Sequence, residues 1–438
     1  MESLSNSFTT LSTAIAALIV LITVTFVVRK LSDKKRYCPV AGTVFHLIFN
    51  FHRAHDYMTD LARKNKTFRI LSPFRSEVFT SDPATVEYIL KANFSNYGKG
   101  GHFHAVMEDM MGDGIINVDG ERWLYQRKIF SHEFSTKNLK DFSSAVFQRN
   151  AEELAGTVLK VANLNKSVDI QELFLKTTLD TIFEVGFGVE LDSIYGIEEG
   201  ARFAKAFNDI SASVLWRYVD MTWKIRKFFN IGSEASLKSN LKVIDDFLFK
   251  LIRTKLEKLS NPNHDSSIRK EDLLSRFLDL NDKDPKYLRD IVSNFLHAGR
   301  DTAAATLSWF MYRMCIHPHM QEKIAQEVKD AAQLKDTATI REYVAVVSEG
   351  HVLDKMQYLH SALSESLRLH PPVPVAGPRI CPGKEFGYAE MKIFISVLLR
   401  FFPFELEDEN KPVDYITMLN LHIDGPLKLR AFPRVAPT

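Results

Sequence analysis

Residues 376–386 read AGPRICPGKEF and lead directly into a segment with a helical pattern. Apolar residues recur every three or four positions in that segment, at Phe386, Ala389, Ile393 and Val397. Cys381, which lies between Gly377 and Gly383, is therefore predicted just before a helix N-terminus. Unpaired N–H groups and the helix dipole favour an anion there, so we expect a lowered thiol pKa and a thiolate able to ligate a metal. The two glycines would let a flat ligand approach the backbone.

This loop has two other possible interpretations. A phosphate-binding loop fails because five residues rather than four separate Gly377 from Gly383, and because Glu385 stands where Ser or Thr would bind magnesium. An ordinary buried cysteine in a turn remains open on this motif alone.

Composition excludes some classes of protein. The chain has 438 residues, a net charge of +2 and 25% charged residues, so nothing indicates a nucleic-acid partner. The three cysteines, Cys38, Cys315 and Cys381, are widely spaced and odd in number. This pattern argues against a disulfide framework and fits a reducing compartment.

The N-terminus predicts a membrane anchor. No charged residue occurs between Ser3 and Val28, and Arg29 and Lys30 follow directly. A helix of 18 apolar residues is about 27 Å long, close to the hydrocarbon thickness of a bilayer. The positive-inside rule then leaves the rest of the chain cytosolic. We predict residues 1–36 as a single-pass transmembrane helix with a basic flank, and 37–438 as a single domain. A cleaved signal peptide is the alternative, disfavoured because no Lys or Arg precedes the apolar run.

The remaining chain is predicted to be mainly α with a small β element drawn from both chain ends. Strands are expected at residues 67–71 and 77–80, and a helix after Asp82. Near the other end, residues 418–423 and 427–431 flank Asp424-Gly425-Pro426 and predict a hairpin.

The clearest helical pattern runs from Leu288 to Cys315, and a glycine and short polar side chains interrupt it at residues 298–302, AGRDT. One interpretation is structural: the Thr302 hydroxyl bonds a carbonyl one turn back, beside a helix-weakening glycine. The other is a widened turn that admits oxygen and water, with Asp301 and Thr302 relaying protons.

Two further residue pairs share helix faces. Glu365 and Arg368 are three apart, and such a pair is usually a surface ion pair of small energetic value. Trp123 and Arg127 are four apart, which places them on one face of a helix.

Taken in order, W-x-x-x-R, A-G-x-D-T, E-x-x-R and G-x-R-x-C-x-G resemble the motifs of the cytochrome P450 family of haem-thiolate monooxygenases. The resemblance covers nearly the whole chain and implies the cytochrome P450-like fold. It implies haem b, with the Cys381 thiolate as the iron ligand and Ala298 and Gly383 against the haem. Trp123, Arg127 and Arg379 would contact the propionates, Asp301 and Thr302 would deliver protons, and Glu365 and Arg368 would support the pocket.

The sequence of residues 297–310 resembles that of the plant branch of the family, whose members hydroxylate fatty acids near their terminus. This implies a lipophilic substrate, O2, and NADPH used indirectly through a partner reductase. It also implies an enzyme of the endoplasmic reticulum membrane whose catalytic domain is cytosolic.

One region departs from the family pattern. Only residues 369–380 separate Arg368 from Cys381, where the family has several dozen, so a segment is predicted to be missing between 375 and 376. Pro374 stands where the family has a Phe that shields the cysteine. We therefore expect Glu365 and Arg368 to be a partly buried pair without its third member, which is a costly arrangement. The alternative function is a catalytically impaired or inactive form of such an enzyme.

Overall fold

The computed structural model describes residues 38–434 except 74, 136, 190–197, 261–271, 280–283 and 375–379, together with scattered positions between 17 and 28. The predicted anchor, residues 1–36, lies almost wholly outside the described residues. Among those that are described, no helix combines the length and the apolar character needed to cross a bilayer. The chain divides into two compact units, residues 1–97 and 98–438.

The first unit is a small sheet with short helices. Its strands are β1 (Val40–Thr43), β2 (Thr67–Leu71) and β3 (Ser76–Thr80), with β1 parallel and β3 antiparallel to β2. Its helices are α1 (Val44–Phe49), α2 (Ala54–Lys64) and α3 (Pro83–Glu87), with a π turn at Tyr88–Ala92. The predicted strands and helix start are confirmed, since Asp82 accepts a hydrogen bond from the Thr85 N–H and so caps α3.

The second unit is mainly helical, as predicted. Its described helices are α4 (Gly100–Met111), α5 (Gly120–Ser135), α6 (Lys137–Asn163), α7 (Ile170–Phe187), α8 (Glu198–Trp216), α9 (Trp223–Phe229), α10 (Ser233–Ser260), α11 (Leu273–Asp279), α12 (Pro285–Leu296), α13 (Thr302–Ile316), α14 (Pro318–Ala332), α15 (Ile340–Val347), α16 (Gly350–Leu353), α17 (Gln357–Leu369) and α18 (Lys384–Phe401).

The largest hydrophobic core of this unit surrounds α18. Every side chain from residue 390 to residue 400 of that helix is buried, and it packs with α6, α13, α14 and α15. A helix that is buried all round is held in place by tertiary packing on every side. Near the start of α18, Phe386 also packs against this core, which links the cysteine loop to it.

The strands of the second unit form two separate sheets. β4 (Val168–Asp169) and β5 (Phe404–Leu406) both pair with β8 (Lys428–Ala431), and β6 (Tyr415–Ile416) pairs with β7 (His422–Ile423). The predicted hairpin across residues 424–426 is wrong, because its two strands join different sheets. Strands do come from both chain ends, as predicted, but among the described residues they form separate sheets rather than one element, since β1–β3 pair only with one another.

The side chain of Gln171 explains why that hairpin does not form. Its Oε1 accepts from the Ile423 N–H at 2.9 Å, and its Nε2 donates to the carbonyls of Ile423 and Gly425 at 3.0 and 3.1 Å. A side chain of α7 thus takes the backbone groups that a neighbouring strand would have used.

Candidate functional site

Cys381 lies three residues before α18, as the sequence predicts, because the helix begins at Lys384 with Gly383 as its N-cap residue. The space around Gly383 would admit a Cβ at ordinary van der Waals distances. A Cβ placed there would lie 3.6 Å from the Phe134 ring and 4.0 Å from the Cys381 sulfur. Arg379 and Gly377 lie outside the described residues, so the predicted propionate contact of Arg379 stays a prediction.

The electrostatics of the cysteine differ from expectation. Although Cys381 is an exposed residue, partial burial of its sulfur raises the pKa of the thiol, and the Gly383 N–H and the charge of Arg127 oppose this only in part. The expectation of a lowered thiol pKa is therefore wrong for the chain by itself. Desolvation outweighs the helix N-terminus here, so the thiolate needs a bound cation to stabilise it.

Trp123 and Arg127 both lie on α5 and are partly buried. The Arg127 guanidinium donates a hydrogen bond to the carbonyl of Ile380, the residue before the cysteine. The helix that carries the W-x-x-x-R pair is thereby joined to the cysteine loop. Sequence reasoning placed the two motifs near the same group but did not foresee this direct bond.

Aromatic packing connects the cysteine loop to the long helix. The Phe134 ring of α5 lies 5.7 Å from Phe386, at the start of α18, and 6.2 Å from Phe295 on α12. Phe295 precedes Ala298 by three residues, about one helical turn. The two predicted halves of the site therefore pack against a common ring, which no local sequence pattern indicated.

The interruption at residues 297–301 is a π turn between α12 and α13, so the predicted widened turn is confirmed. The predicted back-bond also exists, since the Thr302 hydroxyl donates to the Ala298 carbonyl at 2.6 Å. The two interpretations of this segment are thus not exclusive. A π turn of this kind frequently marks a functional site.

Helix α7 packs against the widened turn. The Thr178 hydroxyl shares its proton between the Phe174 carbonyl of its own helix, at 2.8 Å, and the Arg300 carbonyl of the turn, at 3.1 Å. Gly299 is required by close packing, since a Cβ there would meet the Ile182 side chain at 2.5 Å. The widened turn is therefore specified by a neighbouring helix as well as by its own residues.

Asp301 is 1% exposed and bonded on both oxygens. Arg300 donates to Oδ1 at 2.7 Å, and the side-chain amide of Asn420 donates to Oδ2 at 3.2 Å. Burial alone would raise the pKa of this carboxyl, but the positive charge of Arg300, with smaller contributions from His422, His297 and the Asn420 hydrogen bond, holds it below its usual value. The side chains of Arg300, Asn420 and His422 were not recognised from the sequence.

Glu365 and Arg368 form the expected ion pair, with N–O distances of 2.7 and 2.6 Å. Their side chains are 53% and 67% exposed, so the expectation of a partly buried pair is wrong. Solvent stabilises both charges, and the pair requires no third partner to avoid a desolvation cost. The Arg368 hydrogen bonds lower the pKa of Glu365.

The chain after α17 is anchored by contacts to α13 and to the β6–β7 region. His370 stacks on Trp309 with ring centres 4.1 Å apart and accepts a hydrogen bond from Arg313 at 2.9 Å. Burial and the charge of Arg313 lower the pKa of His370 to about 4, which keeps the ring neutral and able to accept. The Pro372 carbonyl accepts from the Leu421 N–H at 2.8 Å. The structure thus fixes the chain on both sides of residues 375–379.

A cysteine before a buried helix, an arginine bonded to its loop and a widened turn in a long helix together define the haem-thiolate class of oxygenases. Comparison with known proteins agrees. The Cytochrome P450 family model matches residues 34–376 and, as a second segment, 375–428. The chain belongs to the cytochrome P450 family, whose members are monooxygenases that use haem with a thiolate ligand and electrons from a reductase.

Individual relatives cover most of the chain. It is 39% identical to Cytochrome P450 704C1 of Pinus taeda over 93% of this chain and 94% of the relative. It is 34% identical to Cytochrome P450 704B1 of Arabidopsis thaliana over 89% and 93%, and 34% identical to Cytochrome P450 94A2 of Vicia sativa over 77% and 64%. The pine alignment runs over 492 positions, more than the 438 residues present here, so that relative has residues without a counterpart in this chain.

The side chains around Cys381 suit a haem-thiolate centre. A thiol ligand stands at a helix start, and a guanidinium and an indole lie on the adjoining helix. The site around the sulfur is not fully enclosed, because Cys381 is exposed and the Ile380 side chain is 79% exposed. The residues that would bind haem are suitable for it, but the described residues do not shield the Cys381 side from solvent.

Proposed function

We propose that this chain is a membrane-anchored haem-dependent monooxygenase that hydroxylates a long-chain fatty acid at or near its terminus. The observation that carries the proposal is the widened turn at His297–Asp301, followed directly by the back-bonded Thr302. Opening a helix turn weakens its ladder of hydrogen bonds, and here Thr178 contacts the Arg300 carbonyl while Gly299 lets Ile182 pack closely against the turn. Such a turn has the features expected of an oxygen-binding site.

In this proposal Cys381 ligates the iron, and Trp123, Arg127 and Arg379 bind the propionates. Bound haem supplies the oxidation chemistry, while the protein supplies position, electrostatics and proton delivery. The Thr302 hydroxyl positions protons at the widened turn, and Asp301 is the carboxylate nearest to it in the chain. Ala298 and Gly383 leave room for the flat ring.

The cellular setting follows from the resemblance and from the N-terminal sequence. NADPH would act through a partner reductase, and O2 and a lipophilic substrate would be the other reactants. Residues 1–36 would anchor the chain in the endoplasmic reticulum membrane, with the catalytic domain in the cytosol. The fatty-acid substrate rests on the likeness of residues 297–310 to the plant fatty-acid hydroxylase branch.

Thr302→Ala tests the proposed function in a haem-loaded preparation supplied with reductase, NADPH and a long-chain fatty acid. Wild type should form product hydroxylated at or near the chain terminus. The variant should keep its haem but send most electrons to peroxide, with product per NADPH falling about tenfold or more because proton positioning is lost. The measurement is product and peroxide per NADPH consumed.

Thr306→Ala is the matched control, because that hydroxyl makes the same kind of bond, to the Thr302 carbonyl at 2.7 Å, one turn further along α13. It should leave coupling near the wild-type value. Equal coupling in Thr302→Ala and wild type would reduce Thr302 to a structural back-bond and would contradict the proposed proton delivery.

Deleting residues 1–36 tests the anchor. The truncated protein should move from the membrane pellet to the soluble fraction, because the uncharged run of residues 3–28 supplies the insertion energy. Fractionation after a carbonate wash measures this, with the full chain as reference. Retention of the truncated chain as an integral membrane protein would contradict the single-pass anchor.

Specific observations favour a second candidate function, a catalytically impaired form of the same enzyme. The family match divides at residues 375–376, the position of the predicted missing segment. Cys381 and the Glu365–Arg368 pair are exposed, although both belong to motifs that support the haem in the family. We infer that the missing segment would have covered these groups, and that haem in this chain is bound weakly or heterogeneously.

A further inference from the structure

Arg300 lies at the centre of the widened turn and is 2% exposed. Its Nη1 donates to Asp301 Oδ1 and to Asn208 Oδ1 of α8, each at 2.7 Å, and its guanidinium lies 5.4 Å from the ring centre of Phe207. Burying an arginine is costly unless an opposite charge and hydrogen bonds compensate. This arrangement therefore requires a specific partner, and Asp301 provides it.

The carboxylate of Asp301 is in turn held by groups from different parts of the fold. Asn420, which precedes β7, donates to Oδ2, and the Nδ1 of His297 lies 3.9 Å from the same oxygen without a hydrogen-bond partner of its own. The charged and titratable groups that act on Asp301 are Arg300 and His297 from the turn and His422 from β7.

Protonation states follow from this packing. Burial lowers the pKa of both His297 and His422, so both rings are neutral near pH 7. Asp301 keeps a pKa below its usual value in spite of burial, chiefly through the charge of Arg300. Arg300 thus supplies the permanent positive charge within this cluster.

We propose that Arg300 is the positioning residue of the widened turn: it holds Asp301 as a buried carboxylate directed toward Asn420, and it ties the turn to α8 through Asn208. Resting Asp301 is then a proton acceptor, since a carboxylate must take up a proton before it can give one. The catalytic consequence rests on the proposed function, whereas the charge coupling between the two residues does not.

The test is the pH dependence of unfolding of the full-length chain for wild type, Arg300→Gln, Asp301→Asn and the double variant. Without Arg300, the buried cluster should take up one proton, on Asp301 or on a histidine. A group whose folded pKa is raised loses stability as pH rises toward that pKa. Relative to wild type, the unfolding constant of Arg300→Gln should therefore rise with pH, by up to about tenfold per pH unit. This rise should occur between the pKa that the protonated group has in the unfolded chain and the higher pKa that it has in the folded chain.

In wild type, Asp301 should add no pH dependence to the unfolding constant between pH 5 and 8. Its folded pKa is lowered, so its contribution to stability is already complete above the pKa that it has in the unfolded chain. The double variant should lose the added pH dependence because the carboxylate is gone. Arg300→Lys, which keeps the charge, should restore a profile close to wild type. A loss of stability in Arg300→Gln that does not change with pH, or a pH dependence that is the same in the double variant, would overturn the proposal.

Arg289→Gln is the matched control. Arg289 is also buried and also donates to the next residue in sequence, Asp290, at 3.1 Å, but it lies on α12 before the widened turn. In a haem-loaded preparation, Arg300→Gln should reduce product per NADPH about tenfold or more, while Arg300→Lys and Arg289→Gln should stay within about twofold of wild type. If the unfolding result is as expected but product per NADPH is unchanged in Arg300→Gln, the charge coupling between Arg300 and Asp301 is confirmed and the catalytic role of Arg300 is rejected.

Discussion

Replacing Cys381 by serine should abolish the thiolate-type absorption of the reduced, carbon-monoxide-bound protein completely. Serine keeps the size of the side chain and the helix start at Lys384, but a neutral hydroxyl cannot replace a thiolate as the iron ligand. The expected change is therefore loss of the signal rather than a partial shift. The measurement is the difference spectrum of the expressed full-length chain, normalised to haem content.

Cys38→Ser and Cys315→Ser are the matched controls, and both should leave that spectrum intact. Burial and the charge of Glu405 raise the pKa of Cys315 to about 12, so its thiol stays protonated and does not ligate metal. Cys38 lies in the first unit, just before β1. A thiolate spectrum that survives Cys381→Ser, or that disappears in either control, would refute Cys381 as the ligand.

The second large effect concerns the segment that is predicted to be missing between residues 375 and 376. Inserting the corresponding segment of a family member between Val375 and Ala376 should raise haem content and turnover about 10–100-fold, because groups that support metal ligands commonly contribute that much. The structural reason is exposure: Ile380 is 79% exposed, and the Glu365–Arg368 pair faces solvent rather than the haem pocket. Haem per chain and product per minute are measured for both forms.

A flexible Gly/Ser insert of equal length at the same position is the control for this experiment. It lengthens the loop without providing the aromatic shield or the third member of the Glu/Arg network, so haem content should stay low. Stable stoichiometric haem and normal turnover in the unmodified chain would show that the segment is dispensable. The impaired-enzyme hypothesis would then be rejected.

Local patterns predicted several parts of the site correctly. The three-and-four spacing after Cys381 predicted the helix that starts at Lys384, and the glycine and short polar residues at 298–302 predicted the widened turn. Residues 67–71 formed the expected strand. These features depend on backbone propensity and on hydrogen bonds between near neighbours in sequence, and such information is written into a short stretch of chain.

Other features of the fold and the site could not be predicted from short stretches of sequence, because they depend on residues that are distant in the chain. Gln171 diverted the predicted hairpin by bonding residues about 250 positions later. The expected burial of Glu365 and Arg368 failed because burial is a property of what packs around a pair, and here solvent surrounds it. The thiol pKa of Cys381 rose because of desolvation, which a motif does not reveal.

The sequence by itself determined the class of the molecule: a mainly helical chain with a cysteine just before a helix and a widened turn in a long helix. Tertiary structure alone decided the electrostatics of that turn. Arg300 is adjacent to Asp301 in sequence, yet its charge matters because the packed pair is buried, with Asn208 and Asn420 as hydrogen-bond partners. Charge interactions gain strength in a low-dielectric interior, and only the packing of distant elements creates one.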